Sequence, residues 1–437
     1  MITWLLTKTP FLFLTQSIWR DEAFSYLTAK QPFFHIFSLT ARDFNPPLYY
    51  LLLHIYMWIF GHSEIMLRTF SLIFFNVTIY TACQILEHIF GKKSQSRWIY
   101  LLLFAFNPFL VYYALEARMY AMTACLTTLS WYFLLSRRPR KYLLTVVCGL
   151  LTHYFFLFVL AAQITYMLLS RTHTKEQKRL YIKHLVPAGV VFGTWVFYVL
   201  SQHPPVGKAF WIIPPTLYTI LNTPAVLLTG YEDIFTFPHF SLVPYTVLFI
   251  ATLVLGYKTA TRTKHDRDVM LMLACWTTIP VILTLVLTPI KPLFLPRYLM
   301  ISTPGILLMI LFLIARMPTR QIRVIFLAFF FIAFASYHSL QITFRKKADF
   351  RSVMHEITTL SKPGDSVYVE NELNLHPAQY YFDPSRVYII GKSYDEIPDY
   401  VGKVLIPPDR IVSTPPRFPN KAFILHDNLS YSIQSIF

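Results

Sequence analysis

Apolar runs recur along this 437-residue chain, and their length restricts its fold more than any other feature. A helix needs about 20 predominantly apolar residues to cross a bilayer. Only 14% of the residues are charged, against roughly 25% in a soluble domain. The sequence therefore predicts a polytopic α-helical membrane protein with about eleven transmembrane helices, at residues 2–18, 65–86, 98–114, 119–136, 141–153, 155–170, 184–201, 240–257, 269–289, 298–315 and 322–341.

The basic residues indicate how the chain is oriented in the membrane. The net charge is +17, and 19 of the Lys and Arg residues lie in five short segments between apolar runs. Short loops rich in Lys and Arg usually face the cytoplasm. This distribution predicts a multi-pass protein of the cell membrane with a cytoplasmic N-terminus, and it argues against nucleic-acid binding. The segments are residues 91–97, 137–141, 171–183, 257–267 and 316–323.

A change in composition near residue 342 predicts two domains. Residues 1–341 contain all the apolar spans, whereas residues 342–437 lack one and are rich in Asp, Glu and Pro. The stretch 349–361 predicts an amphipathic helix. Alternating or apolar stretches bounded by turn residues predict strands at "SVYVE" (366–370), "RVYII" (386–390) and "AFILH" (422–426). The second domain is therefore predicted to be a small extracytoplasmic α/β domain.

The first outer loop, residues 19–64, contains a short apolar stretch at 46–61. Counting this stretch as a crossing would invert every later loop and place the basic loops outside. Pro46 and Pro47 stand where a helix can begin. We therefore predict a helix that lies along the outer interface, with interfacial aromatic side chains at Tyr49, Tyr50, Tyr56 and Trp58.

Acidic residues gather on the predicted outer side. Asp21 and Glu22 follow the first span, Asp43 precedes the prolines, and Glu116 lies in a short turn between two spans. A carboxylate can deprotonate an attacking hydroxyl, and Arg can bind phosphate oxygens with two parallel hydrogen bonds. This combination suits attack on an anomeric carbon while a lipid phosphate departs. The cations and polar residues predicted at the same level are Arg68, Arg118, Tyr120, His153, Arg297 and Tyr298.

Structural roles for the same residues stay open at this point. Asp21 also fits a solvated helix end, and Asp43 also fits the cap of the helix that begins near Pro46. Glu116 and Arg118 also fit an ion pair that stabilises their turn. An interfacial polar, snorkelling or aromatic-belt role remains open for His153, Arg297 and Tyr298.

Five stretches together resemble the protein-mannosyltransferase-like glycosyltransferases of family 39. They are "WRDEAFSY" (19–26), "DFNPPLYYLLLHIYMWIFGHSEIMLRTFS" (43–71), "YYALEARMYAM" (112–122), "LTHYFFLF" (151–158) and "FLPRYLMISTPGILL" (294–308). Members of this family have the GT-C fold and use polyprenyl-phosphate sugars, and the bacterial aminoarabinose transferases of lipid A are relatives. The resemblance covers roughly residues 15–315 and implies the same fold and donor class.

The resemblance also implies roles for individual residues. The family's general base falls on Asp21, Glu22 completes the Asp-Glu pair, and Glu116 takes the position that orients the acceptor or the donor. The aminoarabinose transferases carry a Lys before the proline, where this chain has Asn45. The contact to the lipid phosphate is therefore expected to move to Arg68 or Arg297.

These observations favour inverting transfer of a sugar from a polyprenyl-phosphate donor to a hydroxyl of a protein, lipid or glycan. The apolar loop 202–239 would then line the lipid groove with Phe210, Trp211, Tyr218 and Tyr231. Two alternatives remain. A lipid-sugar flippase or transporter should place ionisable residues near the bilayer midplane, whereas the charges here lie at span ends. A non-catalytic membrane scaffold should not need its acidic residues.

No metal site is assigned from the sequence. All four cysteines (Cys83, Cys125, Cys148 and Cys275) fall inside apolar runs, which indicates neither a disulfide framework nor a zinc cluster. Asp21, Glu116 and His153 are suitable ligand types, but they have no characteristic ligand spacing. A divalent cation, Mg²⁺ or Mn²⁺, is left as an open option.

Overall fold

A computed structural model describes residues 2–91, 97–172, 174–202, 211–233 and 237–436. Most of these residues up to 344 are helical. The helices there are α1 (Ile2–Lys8), α2 (Leu12–Thr15), α3 (Arg20–Ala29), α4 (Phe33–Arg42), α5 (Leu48–Phe60), α6 (Glu64–Phe90), α7 (Arg97–Ala105), α8 (Pro108–Ala114), α9 (Tyr120–Leu135), α10 (Pro139–Leu150), α11 (Phe156–Leu169), α12 (Lys175–Ser201), α13 (Leu217–Leu221), α14 (Thr223–Thr229), α15 (Val243–Ala260), α16 (Lys264–Leu287), α17 (Thr303–Ala315) and α18 (Arg320–Phe344).

Six helical segments within the described ranges are long and apolar enough to cross a membrane. Five are α6, α12, α15, α16 and α18, and the sixth joins a 3-10 helix to α17 over Pro296–Ala315. Helices α5, α9 and α11 are apolar but shorter. These helices support a multi-pass membrane protein, and the count of eleven crossings stays a prediction.

Proline divides two of the predicted spans. The span at 2–18 is two short helices, α1 and α2, on either side of Pro10. The span at 98–114 is divided between α7 and α8, where Asn107 caps α8 and Pro108 occupies its first turn. A proline inside a helix removes a backbone donor and collides with the preceding turn, so a new helix begins there instead.

Helix α5 is more deeply packed than an interfacial helix would be. Its bounds agree with the predicted helix at 46–61, and it packs between α3 and α6. Trp58 is 85% exposed, whereas Tyr49 and Tyr50 are fully buried in protein. Tyr56 is buried as well, at 8% exposure. The prediction of interfacial positions was therefore wrong for all three tyrosines, because Phe24 of α3 packs against Tyr50 and Phe70 of α6 packs against Tyr49 and Tyr56.

The 3-10 helix Pro296–Ser302 brings the "PRY" sequence to the end of the helical bundle. The indole Nε1 of Trp276 donates a hydrogen bond of 2.8 Å to the carbonyl oxygen of Ile301. Gly305 allows this close approach, because a Cβ atom there would lie 2.8 Å from the Trp276 ring. The packing against α16 therefore fixes the segment that carries Arg297.

The chain after α18 forms a small α/β unit. It contains α19 (Phe350–Leu360), β1 (Ser366–Val369), α20 (Leu375–Tyr381), β2 (Val387–Ile390), β3 (Ile411–Val412), β4 (Ala422–Leu425) and β5 (Tyr431–Gln434). The sheet order is β3-β2-β1-β4-β5, with only the β4–β5 pair antiparallel. The predicted helix and all three predicted strands are confirmed.

The α/β unit docks on the helical bundle at two connections, the one between α2 and α3 and the one between α5 and α6. The backbone N–H of Ile18 donates to the hydroxyl of Tyr381 at 2.7 Å, and the hydroxyl of Tyr380 donates to the carbonyl of His62 at 2.8 Å. The Ser17 hydroxyl donates to Asp349 at 2.9 Å. The α/β unit therefore covers the end of the bundle near which the predicted site residues Asp21 and Glu22 lie.

Candidate active site

Glu22 lies at the centre of a buried ion-pair network. It occupies the first turn of α3, where its carboxylate accepts a hydrogen bond of 3.0 Å from the backbone N–H of Trp19. Arg68 of α6 donates to both carboxylate oxygens, from Nε at 2.8 Å and from Nη2 at 2.7 Å. Both side chains are fully buried. Such a bidentate pair fixes the start of α3 against α6.

The remaining N–H groups of Arg68 donate hydrogen bonds to backbone carbonyls. Its Nη1 donates to the carbonyls of Leu14 at 3.0 Å and Gln16 at 2.6 Å, and its Nη2 donates to Ser17 at 3.0 Å. A guanidinium has five N–H donors, and the two bonds to Glu22 account for the others. The expectation that Arg68 contacts the lipid phosphate was therefore wrong, because the side chain is buried and all its donors are used.

Lys347 connects Glu22 with Glu116. Its Nζ lies 2.8 Å from Oε2 of Glu22 and 3.9 Å from Oε2 of Glu116. Burial disfavours the charged form of Glu22, but Arg68 and Lys347 outweigh that cost and lower the pKa of its carboxyl well below the ordinary value. Burial raises the pKa of Glu116, and Lys347 only partly opposes the rise. The two cations thus favour the ionised form of Glu22, which holds Arg68 and Lys347 in place.

Asp21 is the accessible member of the Asp-Glu pair. Its side chain is 37% exposed, and its Oδ2 lies 3.0 Å from Nη1 of Arg297. The guanidinium of Arg297 also lies over the ring of Trp211, at 5.3 Å from the centroid, and is mostly buried. Asp21 and Arg297 come from sequence positions 276 residues apart. The structure therefore brings together the predicted base and a predicted phosphate ligand.

Glu116 and Arg118 turn to different partners instead of forming the ion pair that their spacing allowed. Arg118 Nη1 lies 3.3 Å from the Ser25 hydroxyl and 3.4 Å from the Asp21 carbonyl, and its guanidinium lies 5.9 Å from the Tyr120 ring. Arg118 therefore links the turn to α3.

Three predicted polar residues form an aromatic wall beside Arg118. The His153 and Tyr298 rings lie 5.3 Å apart, and the Tyr120 ring lies 6.1 Å from His153 and 6.5 Å from Tyr298. All three rings belong to different segments of the bundle. This arrangement places them in one cluster inside the protein, and it does not agree with an aromatic-belt role for Tyr298 or an interfacial role for His153.

Asp43 and Asn45 pair with each other at the loop before α5. The amide of Asn45 donates to Oδ2 of Asp43 at 2.5 Å. Burial raises the pKa of the Asp43 carboxyl to about 7, against the opposing effects of Asn45 and Arg118. Asp43 is therefore a carboxyl that titrates near neutral pH, and the side-chain amide of Asn45 is hydrogen-bonded to it.

A cleft next to this network contains residues that the sequence analysis missed. Its walls combine cations, two carboxylates and aromatic rings. Arg345 lies over the Tyr112 ring, 3.8 Å from the centroid. Three of the missed residues, the successive cations at 345–347, had a sequence signal, since they oppose the predicted charge asymmetry. The lining residues are Trp19, Tyr112, Tyr113, Glu116, Glu232, Arg297, Arg345, Lys346 and Lys347.

The remaining predictions about this face concern a metal and the loop at 202–239. No group of three or more His, Cys, Asp or Glu side chains gathers as a metal site in the part of the chain that the structure describes. In the loop, Trp211 contacts Arg297, whereas the Tyr218 ring is exposed. Phe210 lies outside the described residues.

Comparison with known proteins gives a likeness of fold. No family model matches this sequence, and no curated protein does. The apo crystal structure of ArnT from Cupriavidus metallidurans matches with a TM-score of 0.64 and 11% identity, covering 95% of this chain and 90% of ArnT. In fold, this chain is similar to ArnT. The structure of the same protein bound to undecaprenyl phosphate matches with a TM-score of 0.64 and 13% identity over 97% of this chain and 91% of ArnT. At 11–13% identity the likeness concerns the fold, which this chain shares with ArnT over almost its whole length.

Proposed function

We propose that this protein transfers a sugar from a polyprenyl-phosphate donor to an acceptor hydroxyl, with inversion at the anomeric carbon. One observation carries the proposal: an accessible carboxylate, Asp21, lies 3.0 Å from Arg297 at the edge of a cleft lined with cations. The fold shared with ArnT, one of whose structures contains undecaprenyl phosphate, supports the donor class. Membership of family 39 belongs to the same proposal.

The reaction would be a single displacement. Asp21 takes the proton of the acceptor hydroxyl as its oxygen attacks the anomeric carbon. The bond between that carbon and the phosphate oxygen breaks, and its electron pair leaves on the polyprenyl phosphate. Arg297 and Arg345 would compensate the charge that develops there. A single backside attack accounts for inversion.

The arrangement in the membrane is part of this proposal. Residues 1–341 would be the catalytic transmembrane domain with a cytoplasmic N-terminus, and residues 342–437 would be the extracytoplasmic domain. The site would then face the extracytoplasmic side, where the polyprenyl chain is held in the adjoining leaflet. The acceptor is a hydroxyl of a protein, lipid or glycan, and no divalent cation is assigned a role.

Asp21→Asn tests the general base. The amide keeps the size of the side chain but cannot take the proton, so turnover should fall by roughly 10²–10⁴ while polyprenyl-phosphate binding persists. Asp383→Asn is a matched control, because Asp383 forms an exposed ion pair with Arg386 in the α/β unit. Wild-type turnover by Asp21→Asn, together with an inactive Glu116→Gln variant, would assign the base to Glu116 instead.

Arg297 is tested by a pair of substitutions. Arg297→Ala should weaken polyprenyl-phosphate binding, because a mostly buried guanidinium is lost from the cleft. Arg297→Lys should restore only part of the affinity, since an ammonium group cannot form two parallel hydrogen bonds with phosphate. Unchanged affinity in both variants would remove Arg297 from the donor site.

A further inference from the structure

Glu232 lies between the two buried guanidiniums of the cleft. Its Oε2 is 3.5 Å from Nη2 of Arg297, and its Oε1 is 4.0 Å from Nη2 of Arg345. The Tyr113 hydroxyl donates to Oε1 at 3.0 Å. Only 3% of Glu232 is exposed, so its charge lies inside the protein and faces the cleft.

The contacts of Glu232 with the two arginines are loose. Charge-assisted N–H···O bonds are usually about 2.7–2.9 Å long, and both distances here are longer. Oε2 of Glu232 and Nε of Arg297 have no hydrogen-bond partner in the described part of the chain. The Glu22–Arg68 pair a short distance away is tight and bidentate. The two buried pairs therefore differ. The Glu22–Arg68 pair uses all the donors of its arginine, whereas Glu232 and Arg297, which both line the cleft, retain unused hydrogen-bonding groups within the described residues.

Glu232 reduces the repulsion between Arg297 and Arg345. Two guanidiniums that face one buried cleft repel each other, and buried charges are costly without a counter-charge. Glu232 supplies one negative charge between them. A phosphate that enters the cleft would bring its own charge and better geometry for arginine, since its oxygens accept parallel hydrogen bonds.

We propose that Glu232 is an internal counter-ion that the lipid phosphate displaces from Arg297 and Arg345, and that its charge disfavours the product relative to the donor. This inference rests on the proposed function. The donor is a phosphodiester with one negative charge. The released polyprenyl phosphate is a monoester, which carries about 1.5 to 2 negative charges at neutral pH. After this displacement the carboxylate still lies in the cleft wall, where it repels the more negative species more strongly. Glu232 therefore weakens product retention after transfer.

Binding to the full-length Glu232→Gln variant tests this assignment. The probes are undecaprenyl monophosphate and its methyl diester, which matches the donor's charge. Removal of a like charge a few ångströms from the phosphate should tighten monoester binding by roughly tenfold or more and diester binding by less. Glu372→Gln is the matched control, because Glu372 is a buried, ion-paired glutamate in the α/β unit. The control should leave both affinities unchanged.

The possible outcomes separate this inference from the proposed function. Equal or weaker monoester binding by folded Glu232→Gln, with normal binding by the wild type, overturns the counter-ion assignment alone. Absence of binding by the wild type refutes the proposed function and the inference with it. The wild type also gives a check without any variant: it should prefer the monoester over the diester by less than about tenfold, because Glu232 offsets the second charge. A larger preference overturns the assignment even if Glu232→Gln does not fold.

Discussion

Replacement of Glu22 by Gln should destabilise the protein far more than replacement of an exposed glutamate. Glu22 accepts hydrogen bonds from Arg68 and Lys347, and all three side chains are buried. The amide would leave the buried Arg68 without a carboxylate and Lys347 with only Glu116, at 3.9 Å. Removal of one partner from a buried ion pair typically costs about 3–5 kcal/mol of unfolding free energy. We expect a loss in this range for Glu22→Gln.

Glu370→Gln provides the matched exposed control. Glu370 pairs with His426 in the α/β unit, and its side chain is 48% exposed. Solvent-exposed pairs contribute about 0–1 kcal/mol, so this substitution should change the unfolding free energy little. The comparison separates loss of a buried anion from the general effect of exchanging Glu for Gln.

Denaturant titration in one detergent measures both variants against the wild type. The double variant Glu22→Gln/Arg68→Met should recover part of the loss, because it removes a buried cation together with its partner. Wild-type stability of Glu22→Gln would refute the reasoning. If that stable variant also lost turnover, Glu22 would have a direct chemical role and not a positioning role.

Three further predictions follow from other parts of the structure. Gly230→Ala should cost roughly 2–5 kcal/mol in the same titration, because Gly230 has a φ of +67° and a Cβ there would lie 2.1 Å from the Phe109 ring. The raised pKa of Asp43 should make wild-type stability fall as pH rises from about 4 to about 7, and Asp43→Asn should remove that fall. In a cysteine-free background, a cysteine at Thr359 should react with an impermeant thiol reagent from outside the cell and one at Arg262 should not; the opposite pattern would contradict the predicted orientation.

The sequence was most informative where one segment determines its own structure. The amphipathic period at 349–361 predicted α19, and short apolar stretches bounded by turn residues predicted β1, β2 and β4. The prolines also marked the start of α5 correctly. Each of these signals is local, because period and turn chemistry depend on neighbours within a few residues.

The burial of individual charges could not be predicted in this way. Arg68 and Arg297 looked equivalent as candidate phosphate ligands, yet Arg68 is enclosed by Glu22 and three backbone carbonyls. Those partners lie 46 to 54 residues away in sequence. Only packing reveals that its donors are used, so residue type alone overestimated the number of phosphate ligands.

Glu232 and Lys347 were missed for a related reason. Lys347 lies 325 residues from Glu22, and Glu232 lies 119 residues from Tyr113. A single acid in an apolar loop has no periodic pattern that would distinguish it. The basic triplet at 345–347 did carry a signal, since it conflicts with the positive-inside distribution, and such a conflict indicates cations that are retained for a local purpose.

The segment from Arg345 to Arg351 links the two parts of the chain both structurally and electrostatically. Arg345 and Lys347 point into the cleft, whereas Asp349 accepts a hydrogen bond from Ser17 and Arg351 donates to the carbonyl of Thr15 at 2.7 Å. The same few residues therefore attach the α/β unit to the end of α2 and the connection that follows it, and they supply two of the cations of the candidate site. Movement of the α/β unit away from the bundle would withdraw Lys347 from Glu22 and Glu116 and leave both acids with less compensation. Because buried carboxylates are costly without a cation, the docked position of the α/β unit and the charged state of the site stabilise each other.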